Sequence, residues 1–434
     1  MLRSRSPQWW VGRLGLAAGL AVFAVYLGLW AALIRGGGTD AADFTAFYTG
    51  WTMVLDGQGT SLYDPAVQAV VQRTILEGRS FEAGLLPFSN PPHLVLPFVP
   101  LALLPLGTAY LMWGSIQIAL VAWLVVRSTT VIAADWSATE RALLIGASLA
   151  ATPLVVSLLQ GAFSVLLSVA VLEAFISLRA GQERRAAFWL LAGALKPQAL
   201  VAPIVAVVSA RRWRLVAWFA GLSLGLGLVT TAVFGVAIWS SYLSFLSGYL
   251  GSFDVLSVRP SVMWNLRGTL ALWVGPVVDA AEAATINVIA LAAQLGGVLA
   301  VAALWWRTWD PSSSAFAMRF SVTIALGLLL SPHLNPHDAV VLIPAGAIAY
   351  GAIRDRSWGP RVGVVLFAAP FFILLTNPIS ANDIATGPIR TPVALMALGI
   401  VGGLLAMRTL RLPRGGEPDL SGQSAVRSPV VERW

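Results

Sequence analysis

An acidic residue at the start of an amphipathic segment is the first candidate for chemistry in this sequence. Asp43, with Asp40 three residues before it, precedes a segment in which these apolar residues recur at helical spacing: Phe44, Phe47, Tyr48, Trp51, Val54 and Leu55. The spacing predicts a helix on the membrane surface with its aromatic face in the interface. Asp43 could cap this helix, or its carboxylate could take a proton from an acceptor hydroxyl, with Asp40 as its competitor.

A solitary lysine is the second candidate. Lys196, followed by Pro197, interrupts an apolar run, and the other 27 of the 28 basic residues are arginines. A cation at membrane depth needs a partner, and a proline-broken helix leaves a water-accessible pocket where it could meet an anion. The alternative is a structural pair with a buried acid such as Glu173. A lipid-linked phosphate is the partner we favour, because a compact ammonium suits phosphate.

The segment 331–338 gathers two of the three histidines, His333 and His337, together with Asp338. As a metal site it is weak, because the histidines span two prolines and no third nitrogen or sulfur ligand is evident. We therefore predict no metal. Two interpretations remain: a polar cluster around a sugar or phosphate, or a helix-capping turn with solvated histidines.

A fourth group lies in residues 257–268, where Arg259 and Arg267 flank Trp264. Arginine is the usual bidentate partner of phosphate, and the tryptophan could stack on a sugar ring. The arginines could equally serve only to balance an acidic surface.

The elements that must position these residues are membrane helices. Of the 434 residues, 57% are hydrophobic and 11% are charged, whereas globular chains carry about 25% charge. The net charge of +8 is spread between apolar runs, which indicates topology rather than nucleic-acid binding. The absence of cysteine excludes thiol and disulfide chemistry. The first apolar run exceeds a signal-peptide core, so we expect a retained helix.

Eleven apolar runs indicate an all-α polytopic membrane protein. They cover residues 13–34, 106–126, 140–158, 163–180, 186–210, 215–237, 284–306, 317–331, 339–353, 361–377 and 391–408. Basic residues at both ends of 186–210 and the break at Lys196 divide this run into two crossings, which gives about 12. We expect a single membrane domain over residues 1–411 and a disordered cytoplasmic tail over 412–434, which is polar and contains proline and glycine.

The positions of basic residues predict the orientation. With both termini cytoplasmic, 21 arginines lie inside, six lie outside, and Lys196 lies in the membrane. Positive residues prefer the cytoplasmic side, so this arrangement is favoured. It places two long loops outside, 35–105 and 238–283, with shorter ones at 331–338 and 378–390. We therefore expect a multi-pass plasma-membrane protein that acts at its outer face.

A family resemblance covers about residues 40–350. It rests on short motifs in order: Asp43-Phe44 through Phe47-Tyr48, Leu62-Tyr63-Asp64-Pro65, Phe88 with Pro91-Pro92-His93, Gly193 to Lys196-Pro197-Gln198, Asn265-Leu266-Arg267-Gly268, and Ser331-Pro332-His333 with Asp338. The chain resembles the polyprenyl-phosphate-mannose-dependent α-1,2-mannosyltransferase-like proteins of glycosyltransferase family 87, which have the C-type membrane fold. It departs from that family at Gly161-Ala162-Phe163-Ser164 and at Ser89-Asn90.

The resemblance implies inverting transfer of a hexose, mannose first, from a polyprenyl-phosphate sugar to a hydroxyl of a lipid-linked or glycan acceptor. Asp43 would be the catalytic base. The donor phosphate would meet Lys196, Arg267 and Arg259, and the substrate-binding residues would be Asp40, Tyr48, His93, Asn265, His333, His337 and Asp338. Membrane lipids are expected partners; a cofactor, a metal and nucleic acid are not. The alternatives are a transporter or lipid-linked-sugar flippase, or the same scaffold using another sugar such as arabinofuranose or glucose.

Overall fold

The computed structural model describes residues 7–36, 43–79, 84–253, 258–275, 277–376 and 391–410. Asp40 and the predicted tail lie outside these ranges. Every regular element within them is helical: α1 (Pro7–Arg35), α2 (Phe44–Leu55), α3 (Pro65–Ile75), α4 (Leu106–Arg127), α5 (Ala138–Ala150), α6 (Thr152–Gln160), α7 (Ser164–Arg179), α8 (Glu183–Leu191), α9 (Val201–Ser209), α10 (Trp213–Phe234), α11 (Ala237–Leu250), α12 (Leu266–Val274), α13 (Ala280–Trp305), α14 (Ser314–Leu329), α15 (Leu342–Ile353), α16 (Gly359–Thr376) and α17 (Thr391–Leu410).

Seven helical segments in the described residues are long and apolar enough to cross a membrane. They are Pro7–Arg35, Leu106–Ile132, Trp213–Phe234, Ala280–Trp305, Pro336–Ile353, Gly359–Thr376 and Thr391–Leu410. The pair α5 and α6, bent by 42°, makes an eighth if it is one broken span. The polytopic, all-helical class is thereby confirmed.

The predicted count of about 12 crossings rested partly on shorter helices. Helices α7 and α14 have 16 residues each, and α8 and α9 have nine each. A nine-residue helix rises about 14 Å, against about 30 Å of hydrocarbon, so α8 and α9 are too short to count as spans by length. The count of 12 therefore stays a prediction.

The predicted helix break at Lys196 is confirmed. One 3-10 turn, Ala192–Leu195, ends just before the lysine, and another, Pro197–Ala199, begins just after it. Two side chains from the segment between α3 and α4 contact the carbonyls that the break leaves free: His93 Nε2 lies 2.9 Å from the Ala194 oxygen, and Asn90 donates to the Leu195 oxygen at 3.2 Å. The irregular backbone is thus stabilised by protein groups, as membrane depth requires.

The predicted first-loop helix exists as α2, but the prediction that its aromatic face enters the membrane interface was wrong. Phe44 and Trp51 are fully buried inside the protein. The Phe44 ring lies 5.4 Å from Tyr110 of α4, and Trp51 lies 5.7 Å from Phe98. An apolar helix face is satisfied by any apolar neighbour, and here α4 and the segment before it provide one.

Candidate active site

Asp338 is the centre of a polar cluster drawn from distant parts of the chain. Its Oδ1 accepts hydrogen bonds from Lys196 Nζ and, at 2.8 Å, from Ser164 Oγ at the start of α7. Its Oδ2 accepts from the Asn335 backbone at 3.0 Å, and Asn335 returns a bond in a capping box. The buried carboxylate is therefore paired and fully hydrogen-bonded, which is what burial of a charge requires.

Lys196 pairs with a buried acid, as the structural alternative expected, but that acid is Asp338 and not Glu173. Glu173 instead binds Arg127 at 2.5 and 3.1 Å and contacts Arg185 at 3.4 Å. The ammonium of Lys196 has three N–H donors, and the side chain keeps 20% exposure. One donor goes to Asp338. The others can meet an anion at the helix break.

Asp43 faces this cluster from the start of α2. Its backbone is helical, with φ −53° and ψ −24°, and its side chain makes no capping bond. The alternative that Asp43 serves only as an N-cap was therefore wrong. Its N–H donates to Gln160 Oε1 at 2.8 Å, and its Oδ2 lies 3.9 Å from His337 Nδ1. The carboxylate remains available to a substrate.

The electrostatic setting of Asp43 suits a proton acceptor. Burial raises the pKa of its carboxyl above the ordinary value; His337 and then Lys196 lower it, and Asp338 raises it further. The side chain still keeps 31% exposure. A carboxylate that is short of water but reachable is a stronger base than an ordinary aspartate.

Of the two histidines in segment 331–338, His337 is buried and His333 is half-buried, so neither is fully solvated as one of the two predicted interpretations expected. His337 is 4% exposed and lies 3.5 Å from Asp338 Oδ1. The His333 ring lies 5.8 Å from the Tyr249 ring. Burial, followed by the charge of Lys196, lowers the pKa of His333 to about 3, so its imidazole is neutral at physiological pH. The capping part of that interpretation was right, since Asn335 and Asp338 cap the turn.

Arg267 lies 2% exposed on the Tyr249 side of the cluster. Its Nε donates to Asn287 at 2.9 Å, one Nη donates to the Ser252 carbonyl at 2.8 Å, and the guanidinium lies 4.6 Å from the Phe253 ring centroid. The other Nη has no hydrogen-bond partner among the described residues. Burial lowers the pKa of Arg267 to about 10, so the group stays cationic.

Several predicted site residues support the cluster instead of joining it. The Tyr48 hydroxyl donates to the Leu104 carbonyl at 2.6 Å, and His93 contacts the broken helix. Asn265 is buried, caps α12 and donates to the Ser331 carbonyl at 2.8 Å.

Two further predicted residues, which precede α12, add no side chain to the cluster. Trp264 is 1% exposed, so it cannot stack on a sugar as predicted. Arg259 is exposed, and within the described ranges no contact joins it to the cluster.

Three residues that contact or lie beside the polar cluster were not identified from the sequence: Gln160, Ser164 and Tyr249. Burial, the largest effect, raises the pKa of Tyr249 to about 12, and Asp43 and Arg267 are near enough to influence it. A signal existed for the first two, because they flank the stretch Gly161-Ala162-Phe163 where the chain departs from the family pattern. Nothing local distinguished Tyr249 from the other six tyrosines.

The described residues contain no group of three or more histidine, aspartate or glutamate side chains arranged to hold a metal ion. The cations at the cluster are Lys196 and Arg267. The site thus combines an available carboxylate, two cations and neutral imidazole at a break in the membrane helices, an arrangement that fits chemistry on an anionic, membrane-delivered substrate.

Comparison with known proteins gives one family. Residues 88–332, more than half of the chain, match glycosyltransferase family 87. The match includes Lys196 and Arg267, whereas Asp43 and Asp338 lie outside it. No curated protein and no solved structure matches significantly. The chain is therefore a membrane-embedded member of glycosyltransferase family 87.

Proposed function

We propose that the protein transfers a hexose, with mannose as the first candidate, from a polyprenyl-phosphate sugar to a hydroxyl of a lipid-linked or glycan acceptor. The observation that carries this proposal is the position of Asp43, 3.9 Å from His337 and within electrostatic range of the Lys196–Asp338 pair, at a break in the membrane helices. A lipid-linked phosphate can reach a water-accessible break in a membrane helix while its lipid tail stays in the bilayer. We therefore expect the donor phosphate to bind at this break.

The proposed chemistry is a single displacement. Asp43 takes the proton of the acceptor hydroxyl while that oxygen forms a bond to the anomeric carbon. The bond from this carbon to the phosphate oxygen breaks, and its electron pair leaves with polyprenyl phosphate. Lys196, whose side chain keeps 20% exposure, stabilises the growing phosphate charge by contact, and the buried Arg267 adds its positive charge from a distance. Attack opposite the leaving group inverts the anomeric configuration.

Transfer of label tests this function directly. Purified protein in liposomes is incubated with polyprenyl-phosphate-mannose labelled in the sugar, and with lipid-linked and glycan acceptors in parallel. We expect labelled acceptor of inverted configuration together with free polyprenyl phosphate. The polyprenyl-phosphate-arabinofuranose and -glucose donors, run beside it, identify the sugar. Movement of intact donor across the bilayer without transfer would instead show a flippase.

The proposal includes a topology: the C-type fold with about 12 crossings in the plasma membrane, both termini cytoplasmic, and loops 35–105 and 238–283 outside. The supporting observation is the excess of arginine on the assigned inner side. We expect alkaline phosphatase fused within residues 238–283 to be active, and the same enzyme fused after residue 411 to be inactive. The opposite pattern in well-inserted chains would reverse the orientation.

The raised pKa of Asp43 predicts how activity depends on pH. A general base works only when deprotonated, so the rate should fall as pH drops through this raised pKa. The fall should therefore begin at a higher pH than it would for an aspartate with the ordinary pKa. The charged or titratable groups facing Asp43 are His337, Lys196, Asp338 and Tyr249. The acidic limb of kcat/KM against pH measures this. A limb at or below the ordinary aspartate value would contradict the assignment.

A further inference from the structure

One hydrogen bond fixes Asp43 to a different helix. The Asp43 N–H donates to Gln160 Oε1 at 2.8 Å, a contact between residues 117 positions apart. Gln160 is the last residue of α6, and Asp43 immediately precedes α2. Backbone N–H groups at a helix start have no partner within the helix, so a side-chain acceptor there fixes the position of the first helical residue. The start of α2 is therefore held in place by α6.

The end of α6 is itself held firmly. Gly161 ends the helix in the left-handed conformation, with φ +63°. Two α4 side chains bind the last carbonyls: the Tyr110 hydroxyl donates to Leu159 at 2.8 Å, and the Trp113 indole donates to Gly161 at 2.8 Å. These bonds satisfy groups that a helix end otherwise leaves free, so Gln160 projects from a fixed base.

Close packing adds a second restraint on the same point. A Cβ placed on Gly161 would lie 2.7 Å from the Phe44 Cβ, so only glycine lets the two helices approach this closely. Phe44 directly follows Asp43 and is fully buried. Asp43 therefore has little freedom to move relative to α6, because Phe44 is packed against Gly161 and the Asp43 N–H is hydrogen-bonded to Gln160.

We propose that Gln160 is a positioning residue, which holds the Asp43 backbone so that its carboxylate meets the acceptor hydroxyl. This inference rests on the proposed function, in which Asp43 is the base. General-base catalysis depends on placement within hydrogen-bond reach of the proton, and small displacements of a reacting group are costly. Gln160 acts through the backbone of Asp43, so it need not touch either substrate.

Two substitutions at this position separate positioning from packing. Gln160→Met keeps side-chain length but removes the acceptor, and we expect kcat to fall roughly 10- to 100-fold with little change in donor KM. Gln160→Glu keeps an acceptor, so turnover at alkaline pH should stay near the parent. Its added carboxylate lies close to Asp43, so the acidic limb of the pH profile should move upward. Gln58→Met, an exposed position beyond the other end of α2, is the matched control.

The outcomes distinguish this inference from the proposed function. If Asp43→Asn abolishes turnover while Gln160→Met retains parental kcat, Asp43 is the base but Gln160 does not position it. If Asp43→Asn itself is nearly silent, the proposed base is wrong. If Gln160→Met and Gln160→Glu lose activity equally and also melt at lower temperature than Gln58→Met, the role of Gln160 is in folding, and the positioning proposal fails.

Discussion

Replacing Asp43 by asparagine is expected to lower turnover by roughly 10²–10⁴-fold, the usual contribution of a positioned general base. Asparagine has nearly the same shape and could keep the backbone bond to Gln160, but it cannot take the acceptor proton. Donor affinity should change little, because Lys196 is the proposed phosphate ligand. Single-turnover transfer of label and equilibrium binding of the donor measure the two quantities separately.

The same substitution should leave stability unchanged or raise it. Because burial raises the pKa of Asp43, the folded protein binds its proton more tightly than the unfolded chain does. The contribution of this group to the free energy of unfolding therefore falls as pH rises from the ordinary aspartate pKa through the raised pKa, and at neutral pH the ionised carboxylate destabilises the fold. Asparagine carries no charge, so thermal unfolding of the variant at neutral pH should occur at the same or a higher temperature.

Asp40→Asn is the matched control, since it makes the same chemical change three residues earlier. We expect it to lower turnover far less than Asp43→Asn does. If Asp40→Asn is the more damaging change, the base has been assigned to the wrong residue. The same conclusion follows if Asp43→Asn keeps more than about a tenth of parental turnover, which is too much for the loss of a general base.

Local sequence features predicted those parts of the fold that local physics determines. A lone lysine followed by proline within an apolar run can only break a membrane helix, and the break lies at Lys196. The helical spacing after Asp43 likewise predicted α2, whose bounds are Phe44–Leu55. In both cases the relevant forces act within a few residues along the chain.

The partners of these elements could not be predicted in this way. Lys196 meets Asp338 across 142 positions of sequence, and Asp43 meets Gln160 across 117. Spacing shows that α2 has an apolar face, but lipid and protein are equally apolar, so it cannot show that protein covers that face. Arg267 was identified by type, whereas its contacts with Asn287 and Ser252, which orient it, come from the tertiary fold.

Removing the Lys196 ammonium should weaken donor binding more than any other single change at the site. A charge-assisted hydrogen bond contributes about 1.5–3 kcal/mol, so loss of one to the phosphate should raise the donor Kd roughly 10- to 100-fold. Lys196→Met alone is ambiguous, because it leaves the Asp338 carboxylate buried without its cation. Breaking such a pair costs about 3–5 kcal/mol, enough to unfold many proteins.

A pair of variants removes this ambiguity. Asp338→Asn eliminates the buried charge but keeps the ammonium, and Lys196→Met combined with Asp338→Asn eliminates both. Lys196 keeps 20% exposure, so its ammonium in Asp338→Asn can be hydrated, whereas the buried carboxylate left by Lys196→Met cannot. We therefore expect both variants to fold, which thermal unfolding checks. The ratio of their donor Kd values then reports the contribution of Lys196 without the cost of an unpaired carboxylate. We expect the double variant to bind the donor roughly 10- to 100-fold more weakly than Asp338→Asn. Equal affinities would show that Lys196 serves only to neutralise Asp338, and the phosphate would then need another cation.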